Sequence, residues 1–175
     1  TYHPFAALKN KYFANVMLED IKKGLDRSSR NPEEKKEVNY VLIDGKNVSK
    51  YVPYLTEAKI ASMDIETTGL DLWDKKLELV CWSISVKPRE SFIFPYTKEN
   101  LVYLQGILST KELLINHNIK FDLEWLGRYG ITYRGKLFDT LIAKHLLDEN
   151  CPDKSLKALA RTELNMNNLS EAMDV

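Results

Sequence analysis

The segment from Lys59 to Glu66 constrains the fold of this chain more than any other. Ala61, Met63 and Ile65 alternate there with Ser62, Asp64 and Glu66. Residues two apart on a strand share a face, so the pattern predicts a strand with one covered face and one acidic face. Asp64 and Glu66 then point the same way, with Cα atoms about 6.6 Å apart. Neighbouring carboxylates repel each other and resist desolvation. A divalent cation removes both penalties, and hard carboxylate oxygens suit Mg²⁺ or Mn²⁺. On spacing alone the more ordinary reading is a solvated strand face, where acidic pairs are common.

The surrounding chain reads as an α/β domain. Val38, Tyr40 and Leu42 alternate up to the turn dipeptide Asp44-Gly45. A short helix is expected over 47–55, and strands over 59–66, 77–86 and 91–95. A helix follows over 100–108, a brief strand at 113–115 and a helix over 119–129 ended by Gly130. Another helix over 139–147 is N-capped by Asp139, and a last one over 156–164 is capped by Ser155. Close-spaced strands followed by helix, strand, helix, helix imply a mixed sheet. Residues 1–37 read as a separate helical extension and polar linker, and 38–175 as the main domain. Within the extension, Tyr12, Phe13, Val16, Met17, Ile21 and Leu25 recur at helical spacing over about 11–26. The stretch from Asp26 to Glu37 is polar throughout.

Composition narrows the function classes. The chain has 175 residues, with 25 Lys or Arg against 25 Asp or Glu. At 44% hydrophobic it is too apolar for intrinsic disorder. No apolar run approaches the ~18 residues of a membrane span. Cys81 and Cys151 are too far apart for a metal or disulfide pattern, which suits free thiols in a reducing, intracellular compartment. A balanced charge excludes sequence-independent phosphate binding through excess cations, though not a nucleic-acid enzyme that grips its substrate through metal ions. There is no phosphate-binding glycine loop and no Gly-x-Ser-x-Gly elbow. His3, His117 and His145 lack zinc-ligand spacing. His145 lies in an apolar helix and is expected to be packed or capping. Cys81 is expected to be a buried strand residue.

A second segment runs Asn116-His117-Asn118-Ile119-Lys120-Phe121-Asp122-Leu123-Glu124-Trp125. Asn118 and Asp122 are four apart and share a helix face. A third carboxylate can therefore meet the strand pair across the fold, although Asp122 taken alone reads as an ordinary exposed helix residue.

Together these segments resemble a known family. Asp64-Ile65-Glu66-Thr67-Thr68-Gly69-Leu70 resembles the first motif of the DEDD 3′–5′ exonucleases, and Asn118-Ile119-Lys120-Phe121-Asp122 the second. Tyr133-Arg134-Gly135-Lys136-Leu137-Phe138-Asp139-Thr140 resembles the segment that follows in family A DNA polymerases, and Ser155 to Ala160 continues the likeness. The resemblance covers roughly 38–165. It implies a ribonuclease H-like fold, with helices around a mixed five-stranded sheet. It also implies two-metal proofreading hydrolysis of a single-stranded 3′ DNA end, with a covalently linked polymerase domain as partner and no membrane. Asp64, Glu66 and Asp122 would hold Mg²⁺ or Mn²⁺, which activates the attacking water and stabilises the departing 3′ oxygen. Thr67 and Leu70 would contact the terminal nucleotide, with Leu70 as an apolar wedge. Asn118 would bond the sugar–phosphate, and Phe121 and Phe138 would line the cleft. Lys120 either touches phosphate or stays solvated. Asp139 is expected to act as a cap or support.

The family's third motif, Tyr-x-x-x-Asp or a His-containing variant, has no match after Asp122. Neither Tyr129 nor Tyr133 has an Asp four residues on, and His145 is followed by Asp148 and Glu149. The chain also begins with Thr1. The expectation is an excised piece cut short before its last carboxylate, weakly active or inactive alone. The alternatives are a degenerate exonuclease-like domain that binds single strands or braces a polymerase, and a stand-alone RNA-trimming relative. The polymerase-like segment from Tyr133 to Thr140 speaks against the last.

Overall fold

The structure, a computed structural model, describes residues 38–164 and, before them, Lys9, Ala14, Met17, Leu18, Ile21, Lys22 and Leu25. Those seven positions are helical, and all but Lys9 fall in the helix expected over 11–26. The remainder of that helix and of the polar linker lies outside the described residues. The chain separates into two compact units, Thr1–Glu37 and Val38–Val175.

In the second unit the elements run β1 (Asn39–Leu42), α1 (Val48–Glu57), β2 (Ile60–Thr67), β3 (Leu79–Ser85), β4 (Glu90–Pro95), α2 (Lys98–Ser109), β5 (Leu113–Asn116), α3 (Ile119–Arg128), β6 (Lys136–Asp139), α4 (Thr140–Leu147) and α5 (Leu156–Leu164). Among the described residues the strands form one sheet in the order β1-β4-β3-β2-β5-β6. β3 runs antiparallel to both its neighbours, and the other pairings are parallel. The sheet thus has six strands where five were expected. The added one is β6, four residues that are mostly exposed. A short edge strand with no buried side carries no apolar alternation to announce it.

One face of the sheet is covered. Ala61, Met63 and Ile65 of β2, Leu79, Trp82 and Ile84 of β3, and Phe92 and Phe94 of β4 pack with Leu55, Leu104, Ile107, Leu108, Trp125 and Leu126 of the helices. Trp82 and Phe94 are cross-strand partners whose rings stack 3.8 Å apart. Leu79 and Trp82 both face this core although they are three apart. The register shift between Glu66 and Thr67 explains it, because Val80 is an extra residue on β3. Trp82 and Trp125 are fully buried, so the core takes two of the chain's three tryptophans. By contrast, α4 has no buried residue, and Ile142, Leu146 and Leu147 on it are exposed. His145 is exposed with them rather than packed.

Two polar side chains fix the helices relative to the sheet. Lys111 is only 4% exposed. Its Nζ donates to the carbonyls of Leu55 and Ala58 and to Thr110 Oγ1. The last turn of α1 has no basic residue of its own, so Lys111 satisfies carbonyls that a helix C-terminus leaves orphaned. Asp139, at the end of β6, accepts at Oδ1 from the Asn118 and Leu141 amides (3.0 and 2.8 Å) and at Oδ2 from the Ile119 amide (2.9 Å). One carboxylate therefore caps α3 and α4 together. This relieves Asn118, the N-cap of α3, which sits in the left-handed region at φ 58° and makes no side-chain cap bond.

Two outcomes follow from these anchors. Asp139→Ala removes two helix caps and should lower unfolding stability by roughly 1–4 kcal/mol in urea titration. Lys111→Met strands two buried carbonyls and should cost about 1–3 kcal/mol. Burial, and secondarily the charge of Lys59, lowers the Lys111 ammonium from 10.5 to about 8. Between those values the unfolded chain binds more protons than the folded one, so wild-type stability should rise with pH there. The deficit of Lys111→Met, measured at pH 8 and pH 10, should widen accordingly.

Candidate active site

The parallel strands β2, β5 and β6 end on one edge of the sheet. There β5 stops first. Its pairing with β2 covers Ile60 to Ser62 only, while β2 continues to Thr67. Backbone amides of β2 on that side would otherwise be bare, and side chains take them. Met63 N–H donates to Asn116 Oδ1 (3.1 Å), and Ile65 N–H donates to Asp122 Oδ1 (3.2 Å). Ile65 lies between Asp64 and Glu66, so this bond delivers the third carboxylate to the backbone that carries the first two.

The electrostatics follow from that placement. Asp64 and Glu66 lie on the outward, exposed face of β2, as the alternation predicts. Asp122 is 3% exposed, not the surface residue that its helix position suggests. Burial, then the neighbouring charge of Asp64, pushes the Asp122 carboxyl from 3.8 up to about 7. The Asn116 amide and the Ile65 N–H pull the other way. The pull from Asn116 is a near approach only, since its Nδ2 is buried without a well-formed hydrogen bond. Asp64 is raised by burial and then by Glu66, against smaller lowering effects of the Ile65 backbone and His117. Although its tip reaches solvent, enough of Asp64 is walled in to disfavour its charge. Cys81, paired in register with Glu66, is half-buried on this face rather than in the core. Burial and then the two carboxylates raise its thiol.

An open cleft of about 420 Å³ lies against Asp64. Ser62, Ser83, Ser85, Ser91, His117, Thr140 and Leu156 line it. Thr140 Oγ1 donates its one proton to the Asn116 carbonyl (3.1 Å), so the 2.9 Å contact with His117 Nδ1 is a bond that the imidazole donates. In the neutral ring Nε2 is then the acceptor. His117 and Thr140 escape a reading by zinc spacing. Only their place beside the second acidic motif points to them.

The other expected contacts divide. Thr67 Oγ1 donates to the Gly69 carbonyl (2.7 Å), closing the turn out of β2. Leu70, beyond it, is 82% exposed. Asn118 is exposed at the start of α3, and Phe138 is exposed on β6. Phe121 is half-buried against the core and Trp125. Lys120 pairs with Glu124 in solvent at 3.7 Å. Tyr129 Oη accepts the Leu79 amide (2.8 Å), tying the end of α3 to the strand beside the acidic one.

The donor chemistry suits a hard divalent cation, because Asp64 has two carboxylate neighbours, Glu66 along the strand and Asp122 from α3, and Asp64 and Asp122 are already biased against their charge. The geometry is less complete. Among the described residues no group of three His, Cys, Asp or Glu side chains could hold a metal ion, and Asp122 commits Oδ1 to Ile65.

Comparison with known proteins agrees with the sheet and the motifs. The sequence profile of the family A DNA polymerase 3′–5′ exonuclease family matches residues 41–173. DNA polymerase I of Borreliella burgdorferi is 31% identical over 105 residues, which is 55% of this chain and 11% of that protein. The chain thus spans a small fraction of the curated relatives it matches. The POL domain of Pol1 from M. smegmatis, in complex with DNA primer-template and dNTP, superposes with a TM-score of 0.60 at 18% identity, covering 73% of this chain and 23% of that one. Brucella melitensis NrnC with bound Mg²⁺ superposes at 0.54 and 21% identity, covering 75% and 63%. The fold is thus that of the ribonuclease H-like exonucleases, and the chain belongs to the 3′–5′ exonuclease family of the family A DNA polymerases.

Proposed function

We propose that this chain is the proofreading 3′–5′ exonuclease portion of a DNA polymerase, acting on single-stranded DNA ends with two Mg²⁺ or Mn²⁺ ions. The observation that carries the reading is the acidic cluster at the end of β2, where the Asp122 bond to Ile65 forces carboxylates together against their own repulsion. Either a proton or a bound cation relieves such an arrangement, and only the cation leaves the carboxylates charged. Asp64 and Glu66 would hold it from the strand, and Asp122 from α3 through the oxygen not bonded to Ile65. Bound ions would supply activation of the attacking water and stabilisation of charge on the departing oxygen.

The protein's own residues present the substrate. Thr67, fixed by its bond to Gly69, and Leu70 would meet the terminal nucleotide. Asn118 would bond the sugar–phosphate, and Phe121 and Phe138 would flank the strand. Lys120 is the least favoured of these contacts, being engaged with Glu124. DNA is favoured over RNA by the polymerase relatives. A linked polymerase domain is part of the same proposal.

A second reading has one observation in its favour. The described residues do not close into a three-ligand group, as a degenerate, strand-binding domain would also show. Both readings predict weak activity from these carboxylates alone.

The direct measurement is Mg²⁺- or Mn²⁺-dependent release of mononucleotides from 3′-labelled single strands, DNA and RNA in parallel. DNA should be degraded faster. Asp64→Ala in the chain joined to its native polymerase sequence should reduce release by about 1,000-fold, which corresponds to a few kcal/mol of lost charge stabilisation. An unchanged rate would overturn the metal assignment. A pH measurement examines the cluster without metal. Asp122 binds a proton up to about 7 when folded against 3.8 as its ordinary value. The folded form therefore binds more protons in between, and stability in EDTA should fall as pH rises from 4 to 7. Asp122→Asn keeps the acceptor for Ile65 and should flatten that fall.

A further inference from the structure

The loop between β2 and β3 leaves one feature without a role. Trp73 is 86% exposed, while the chain's other two tryptophans are fully buried. The loop that presents it is built rather than slack. Its base is closed by the Thr68 amide on the Glu78 carbonyl (2.9 Å) and the Glu78 amide on Thr68 Oγ1 (2.8 Å). At Gly69 a Cβ would stand 2.8 Å from Leu77 Cδ1, so a larger residue would have to displace that leucine side chain. Leu72 and Leu77 pack against the core. Asp71 Oδ1 accepts the Trp73 amide and Asp74 Oδ1 the Lys76 amide, both at 2.9 Å. Arg128 of α3 reaches the Leu77 carbonyl at 3.3 Å while stacking over Trp125. Leucines on either side of Trp73 are thus turned inward and the indole outward.

Its neighbours give the surface a chemistry. Lys75 and Lys76 are exposed and form no ion pair with the described residues, whereas the two loop aspartates spend an oxygen each on backbone amides. The loop starts directly after Glu66 and Thr67, at the edge of the sheet where the carboxylates gather. An exposed aromatic face with unpaired cations beside it is the composition of a single-strand platform. Bases stack on such a face regardless of sequence, and lysines neutralise the phosphates between them.

We propose that Trp73 is a stacking platform for a base of the single-stranded nucleic acid that enters the acidic site, with Lys75 and Lys76 on its phosphates. This rests on the exonuclease reading and adds a binding residue to it. It does not involve metal, so the test runs in EDTA on the full 175-residue chain. A single-stranded oligodeoxythymidylate is titrated in while tryptophan emission is followed, and a fluorescein-labelled copy reports affinity by anisotropy. With the other indoles buried, quenching reads Trp73. The expected result is quenching on binding, and a Kd raised roughly 5- to 100-fold by Trp73→Ala but little by Trp73→Phe. The thermal midpoint should barely move, as the side chain is 86% exposed. Replacing Lys75 and Lys76 by Gln should flatten the log–log salt dependence of binding by about 1.4. If the oligonucleotide binds without quenching and Trp73→Ala binds like wild type, the platform is wrong and the exonuclease reading stands. If no single strand binds, both fall. A blue shift of emission with protein concentration alone, accompanied by dimers in sedimentation, would make the indole a self-association contact and overturn the proposal.

Discussion

The hydrogen bond from the Ile65 amide to Asp122 is the constraint on which the site depends. It exists because β5 is shorter than β2. A sheet that ended its strands together would have satisfied Ile65 with a backbone carbonyl, and no side chain would have been drawn in. Here the missing carbonyls are replaced by Asn116 and Asp122. An amide in the middle of a strand is an obligatory donor once it is away from water. The bond therefore does more than orient Asp122. It sets the distance between a helix carboxylate and a strand that already carries two. The raised carboxyl of Asp122, pushed up by burial and then by the charge of Asp64, is the electrostatic cost of that arrangement.

The cost is borne by elements that have little other purpose. β6 contributes no buried side chain, yet its pairing with β5 places Asp139 beside Asn116. From there Asp139 takes the first amides of α3 and so fixes the turn that leads to Asp122. The left-handed Asn118 belongs to the same device, since it lets α3 start directly at the end of β5. Its side chain makes no cap bond and stays exposed at the start of α3. Tyr129 completes the clamp at the far end of the helix through the Leu79 amide. A sheet edge, two caps and one tyrosine thus hold α3 against the repulsion it brings.

What could be read in the sequence follows from how local each cause is. The period of two in β2 placed Asp64 and Glu66 on the open face without any knowledge of neighbours. Asp139 as a cap was legible because capping acts within three residues. The burial of Asp122 was not, since it depends on β5 ending four residues before β2 does, a difference invisible along either strand. β6 was missed because its residues answer to pairing alone. Cys81 was placed in the core by its apolar neighbours, but the extra residue at Val80 shifts it to the carboxylate face. His145, expected to be packed or capping in an apolar helix, is exposed together with Ile142, Leu146 and Leu147 of α4. Periodicity gives the face of a helix and says nothing of whether anything covers it. His117 and Thr140 touch across 23 residues, and a pair that distant leaves no local trace.

The balanced charge of the chain takes on a sharper meaning in this setting. With 25 cations and 25 anions, the molecule has no net field to draw a polyanion in, and its focal point is negative. Attraction must then be local and of another kind. Cations taken up at the carboxylates would reverse the sign of the cleft. Beside it, on the loop that follows β2, the exposed Lys75 and Lys76 accompany two exposed apolar groups, Leu70 and Trp73. Apolar contacts of that sort bind bases rather than phosphates, and they weaken little as salt rises, whereas phosphate contacts release counterions and weaken steeply. In the reading proposed above, an acidic centre with an aromatic face on the adjoining loop would discriminate in a way that a basic groove cannot. A paired duplex hides its base faces and offers only phosphate, which the uncharged average of this protein does not favour. A frayed end exposes the faces. In the proposed reading, selection of unpaired ends would arise from what the surface lacks as much as from what it holds.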